Sequence, residues 1–193
     1  MFKRILILIM ILSTLTFMSC GLVGGVTNGD RIISELERVC NAKNTTMVSS
    51  NNGTLKIDTE ELSLSLSYSY DGVKDAIYMY CDKEAGKYFY VIDANGAITK
   101  DSLSVEEYIN YFNEVVKVYS LRKYLSVINL MEKESGEYIY YEGDTKTVIG
   151  LENGHITVKT SSESYETEMT EVKYIDINKT TVTIPQNVRD MAY

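Results

Sequence analysis

The chain is poor in the residues from which most metal and hydrolytic sites are built. Its 193 residues include one histidine, one proline, three cysteines and no tryptophan. A serine- or cysteine-type hydrolase normally needs a base, and the lone imidazole, His155, stands directly after the hairpin signal Asn153-Gly154, where a solvent-facing strand residue is expected. No C-x-x-C or Cys/His spacing of a zinc site is present, so metal and redox catalysis lose their usual ligands and no metal or cofactor is expected. Basic residues are also in deficit, 19 against 27 acidic, which argues against nucleic acid and anionic headgroups as targets. The near-absence of proline and tryptophan, the excess of lysine over arginine and the abundance of tyrosine read as genome composition, pointing to an AT-rich bacterium. The apolar stretch from Ile5 to Met18 is about 14 residues, short of the roughly 20 needed to cross a hydrocarbon core.

What the N-terminus does hold is an export signal. Lys3 and Arg4 precede the run Ile5-Leu6-Ile7-Leu8-Ile9-Met10-Ile11-Leu12, and Phe17-Met18-Ser19-Cys20-Gly21 follows. That is the charged, apolar, small-residue order of a signal peptide. Its end matches a lipoprotein cleavage box, apart from Phe17 and Met18, where leucine and a small residue are usual. Residues 1–19 are therefore expected to be removed and Cys20 to be lipidated. Two or three acyl chains, at about 0.8 kcal/mol per buried methylene, give stable attachment to the membrane outside the cytoplasm. Residues 20–29 read as a flexible tether and 30–193 as one domain, whose charge is more negative by two once Lys3 and Arg4 are gone. Of the remaining cysteines, Cys40 and Cys81 suit a disulfide in an exported domain, or equally a pair of buried thiols.

The domain reads as a helix, strands, a helical insert and strands again. Asp30 offers an N-cap to a helix over 31–41, with Ile32, Ile33, Leu36, Val39 and Cys40 on one face. Strands are expected at 54–58, 62–70, 76–81 and 87–93, the second alternating without a fault. Along 77–81 aliphatic and sulfur-bearing residues alternate with Tyr78 and Tyr80, so both faces of the sheet should be partly apolar. Ser104 and Glu107 form a capping box for a long bent helix or a helix pair, with a phase slip near Ser120, ending near Lys133. Further strands are expected at 138–141, 146–151, 155–160, 165–175 and 180–185. Short links between neighbours imply an α+β fold with an antiparallel sheet and helices on one face.

The lipoprotein signal, the stripe from Ile32 to Cys40, the serial hairpins, the central helices and the ending Tyr174-Ile175-Asp176-Ile177-Asn178…Val182-Thr183-Ile184-Pro185 together resemble the LolA/LolB and LppX/LprG group of lipid- and lipoprotein-carrier domains. The likeness spans roughly residues 30 to 188 and is one of layout. It implies a strongly bent antiparallel sheet, an open half-barrel, whose concave face is covered by helices around an apolar cavity. No arginine or loop that serves lipoprotein release can be matched, so carrier activity does not follow.

Leu64, Leu66 and Tyr68 on the sheet, with Tyr108, Phe112 and Tyr119 on the central helix, are the expected lining of such a cavity; the same side chains could instead fill a closed core. No catalytic residue is expected. Glu163, Glu166, Glu168 and Glu171 are accounted for by strand alternation, Glu106 and Glu107 by the first turn of the helix. Asp93-Ala94-Asn95-Gly96 is better read as a turn than as a calcium loop. The sequence thus points to a non-enzymatic, membrane-anchored extracytoplasmic lipoprotein of the bacterial envelope that binds a lipid or other hydrophobic ligand. The alternative is an envelope scaffold offering an exposed tyrosine face, Tyr78 and Tyr80, to a protein partner.

Overall fold

Turn chemistry sets the sheet. Asp71-Gly72, Asn95-Gly96, Ser135-Gly136 and Asn153-Gly154 hold positive φ at both residues, the backbone that closes a two-residue hairpin in step with strand twist. The computed structural model describes residues 27–162 and 170–191. The expected signal peptide, Cys20, most of the tether, and Glu163, Glu166 and Glu168 lie outside the described residues. The strands are β1 (Asn44–Ser49), β2 (Gly53–Asp58), β3 (Ser63–Tyr70), β4 (Val73–Asp82), β5 (Lys87–Ala94), β6 (Ala97–Leu103), β7 (Glu132–Glu134), β8 (Glu137–Glu142), β9 (Thr145–Glu152), β10 (His155–Ser162) and β11 (Thr170–Ile175). The helices are α1 (Asn28–Cys40), α2 (Val105–Tyr119), α3 (Arg122–Val127) and α4 (Gln186–Arg189), with a single 3-10 turn at Ile128–Leu130.

All eleven strands form one antiparallel sheet in the order β6-β5-β4-β3-β2-β1-β11-β10-β9-β8-β7. It is two meanders, β1 to β6 and β7 to β11, joined where β1 pairs with β11 through Thr46↔Ile175, Met47↔Tyr174, Val48↔Lys173 and Ser49↔Val172. The sheet is neither closed nor strongly curled, which overturns the expected half-barrel with a helix-covered concave face. The ladders give a physical reason: from β3 through β6 the pairing advances residue by residue with none skipped, so the bulges that bend and curl a sheet are missing there.

The helices begin where capping chemistry permits. Thr27, not Asp30, is the N-cap of α1; the Thr27 hydroxyl accepts from the Asp30 N–H at 3.3 Å and the Asp30 carboxylate accepts from the Thr27 N–H at 3.0 Å. Helix α1 therefore starts at Asn28, inside the stretch read as tether. The same reciprocal box between Ser104 and Glu107 starts α2 as expected. Ser120 leaves the helical backbone at ψ 131°, and this is the phase slip of the sequence: two helices, not one.

On one face Ile32, Leu36 and Val39 of α1, Tyr108 and Phe112 of α2, and Tyr124 of α3 pack on Met47, Leu55, Ile57, Leu64, Met79, Ile149, Ile156, Val158 and Tyr174 of the sheet. The opposite face carries a second core of Tyr80, Phe89 and Val91 beneath Ile184 and Val188. Both faces of β4 and β5 are thus apolar, as the alternation of 77–81 implies. The segment expected as a strand at 180–185 pairs with nothing in the sheet; it is an extended strap whose alternate residues, Thr180, Val182 and Ile184, turn inward. Its alternation reports one-sided burial, not ladder pairing.

A buried lysine holds the strap's end. Lys100 of β6 is 9% exposed and its ammonium donates to the carbonyls of Val188, Arg189 and Met191 at 3.3, 2.8 and 3.0 Å, 4.5 Å from the centre of the Phe89 ring. These are carbonyls at the end of α4, where a helix has no internal donors left and favours a cation. Lys100→Met should lower stability by about 2 kcal/mol, the scale of a hydrogen bond to a charged group, in urea unfolding. Amide exchange should quicken across 182–191 while α1 stays protected.

Candidate functional site

The phase slip at Ser120 opens space above the seam between the meanders. Helix α2 ends there at Tyr119, whose carbonyl has no intrahelical donor, and the Tyr174 hydroxyl of β11 donates to it at 2.8 Å. A hydroxyl from the sheet thereby pins the end of the helix. Beside it, between the C-terminal ends of α1 and α2 and the first residues of β1, runs an open groove of about 900 Å³. Val39, Cys40, Met47, Ile57, Val116, Tyr119 and Tyr174 supply its apolar surface, while Lys43, Asn44, Asn113, Lys117, Arg122 and Lys123 edge it. Smaller hollows of about 270 and 160 Å³ lie on other sides of Tyr119, one against Leu55, Leu66, Tyr68 and Val172, the other against Leu121, Tyr124 and Val158. Tyr119 borders all three.

The six expected lining residues divide. Leu64, Tyr108 and Phe112 belong to the closed core, each 2% exposed or less, with the Tyr108 and Phe112 rings stacked at 6.3 Å and the Tyr108 hydroxyl bonded to the Leu62 carbonyl. Leu66, Tyr68 and Tyr119 face the smaller hollow, and only Tyr119 reaches the large groove. Met47, Ile57, Val116, Tyr174 and Arg122, which line the large groove, are not among the expected lining residues. The one signal that marked their place was the break in period at Ser120.

Electrostatics around the groove follow from burial and pairing. Burial pushes the Cys40 thiol up, opposed in part by the positive charge of Arg122. Burial likewise raises the Tyr119 phenol, helped by the neighbouring Tyr68 phenol, and raises Tyr174 further. Lys43 pairs with Glu60 at 2.6 Å, Lys123 with Glu142 at 3.2 Å and Lys117 with Glu114 at 3.8 Å. The Arg122 guanidinium donates to the Cys40 carbonyl at 3.3 Å. Cys40 and Cys81 are both free thiols; the disulfide is not formed, Cys40 lying near Arg122 and Tyr174 and Cys81 near Tyr108.

The remaining sequence candidates sit elsewhere. His155 is half-buried at the β9–β10 turn, less open than expected, with a buried Nδ1 that has no partner. Glu171 pairs with Lys159 at 3.4 Å. Asp93 accepts the Gly96 N–H at 2.8 Å and so closes a plain turn. Among the described residues no three His, Cys, Asp or Glu side chains are grouped to hold a metal, and no helix is long and apolar enough to cross a membrane. No family model, curated protein or solved structure matches the chain, so nothing ties it to the LolA/LolB or LppX/LprG carriers.

Two measurements probe this geometry. Tyr174→Phe leaves the Tyr119 carbonyl without its donor and should cost about 1–2 kcal/mol of unfolding free energy, with faster amide exchange in the last turn of α2. For Cys40, burial disfavours the thiolate, so site-resolved alkylation should be slower than for a free cysteine at neutral pH and still be rising above the pH at which the free thiol levels off. Arg122→Gln removes the opposing cation and should slow it further.

Proposed function

We propose that the protein is a membrane-anchored bacterial lipoprotein, attached through Cys20, that binds a hydrophobic ligand in the groove beside Tyr119 and is not an enzyme. The observation that carries the reading is the groove: about 900 Å³, at the upper end of the roughly 300–1,000 Å³ of small-molecule sites, with a mainly apolar floor at a junction of helices and sheet. A filled interior would have left no such space; the neighbouring core around Tyr108 and Phe112 is filled, and the groove begins where that packing ends.

A second reading keeps a protein partner but moves its surface. The expected tyrosine face is covered, since Tyr80 is 4% exposed beneath the strap. Among the exposed apolar side chains, Tyr68, Tyr70, Val73, Ile92 and Tyr111 lie together on the face that carries α2. They favour an envelope partner there.

Native mass spectrometry of protein from its own host, before and after solvent extraction, tests the first reading. A mass lost on extraction is expected, and Ala42→Trp, which projects a large side chain into the groove, should lower its occupancy at unchanged secondary structure. Protein that carries no extractable mass and takes up no apolar ligand would overturn it. Cys20→Ala should abolish acylation and release the protein from membranes; an acylated variant would refute the anchor.

A further inference from the structure

The groove's rim inverts the charge of the chain. Across the sequence acidic residues outnumber basic ones 27 to 19, yet the ionisable side chains that edge the groove, apart from the Cys40 thiol and the tyrosines, are Lys43, Lys117, Arg122 and Lys123 against Glu114 alone. Three of these cations already have carboxylates: Glu60, Glu114 and Glu142. Arg122 is the one with no ion pair among the described residues. Its guanidinium uses one N–H on the Cys40 carbonyl, and a guanidinium carries five. It stands at the first residue of α3, where apolar floor gives way to solvent.

Resting on the hydrophobic-ligand reading above, we propose that the groove takes a single-chain amphiphile with a carboxylate head, a fatty-acid-type monoanion. The chain would lie along Met47, Ile57, Val116 and Tyr174, and the head against Arg122. A planar carboxylate matches the guanidinium fork with two parallel hydrogen bonds. One uncompensated cation at the rim matches one negative charge, so the choice falls on a monoanion. Overall acidity works against binding an anionic surface, whose charges are many and spread; it does not prevent capture of one carboxylate at a locally positive rim.

The test compares three ligands of equal chain length, each below its solubility or micelle limit, on the whole lipoprotein in detergent-free nanodiscs and read by calorimetry against empty nanodiscs: palmitate, hexadecanol and hexadecyltrimethylammonium. Palmitate should bind at least about 10-fold more tightly than hexadecanol, and the cation most weakly. Arg122→Gln should reduce palmitate affinity about 10-fold while leaving hexadecanol unchanged, and Arg122→Lys should restore part of the loss; circular dichroism melts check that each variant is folded. Equal affinity for palmitate and hexadecanol, or palmitate binding indifferent to Arg122→Gln, overturns the carboxylate assignment and leaves the groove reading standing. Binding of none of the three overturns both.

Discussion

The pairing of β1 with β11 is the contact on which the rest of the molecule depends. It turns two meanders into one sheet, and it lays Met47 beside Tyr174 beneath the groove. Tyr174 then fastens the end of α2 through the Tyr119 carbonyl. Beyond β11 the chain doubles back: the Asn178 N–H donates to the Asn44 carbonyl, the Thr180 N–H to the Asn44 side chain, and the Thr46 and Thr180 hydroxyls meet at 2.8 Å. Without the seam, each meander would expose a long unpaired edge, the usual template for association with other strands.

A sheet with apolar side chains on both faces needs two covers, and this chain spends different elements on them. Helices α1, α2 and α3 cover one face and leave the groove at their meeting point. The C-terminal strap covers the other over Tyr80, Phe89 and Val91, held by Lys100. The division keeps the sheet as a middle layer under the strap and an outer wall under the helices. It also separates the two surfaces physically, so the groove beside Tyr119 and the strap over Tyr80 lie on opposite sides of the sheet.

Elements with strong local signals were legible in the sequence. The faultless alternation of 62–70, realised as a strand from Ser63, the Asn153-Gly154 hairpin and the Ser104/Glu107 box each depend on neighbouring residues alone, and each is present. Strands whose burial is satisfied by unusual partners were not. β1 buries Thr46, which meets Thr180 from the far end of the chain; β6 buries a lysine, whose ammonium meets the strap's carbonyls; β7 is Glu-Lys-Glu at an edge. The half-barrel failed because alternation fixes which face a residue takes and says nothing about curvature. The site was half legible for the same reason: a stripe identifies Tyr108, Phe112 and Tyr119 as inward-facing, but which of them meets another side chain and which meets space is settled by β1 and β11.

The seam also differs from every other ladder in how it must form. The remaining pairings join consecutive strands, most through loops of only a few residues, whereas Thr45 and Ile175, joined across the seam by a hydroxyl-to-carbonyl bond, are 130 residues apart. Loop closure grows more costly with the length of chain enclosed, and non-local pairings slow folding. Each meander can assemble from its own hairpins; the floor of the groove, drawn from β1, β2 and β11, exists only after the two have met. A molecule bound there would favour the closed seam over the open one by mass action, lending its affinity to the contact with the least local support.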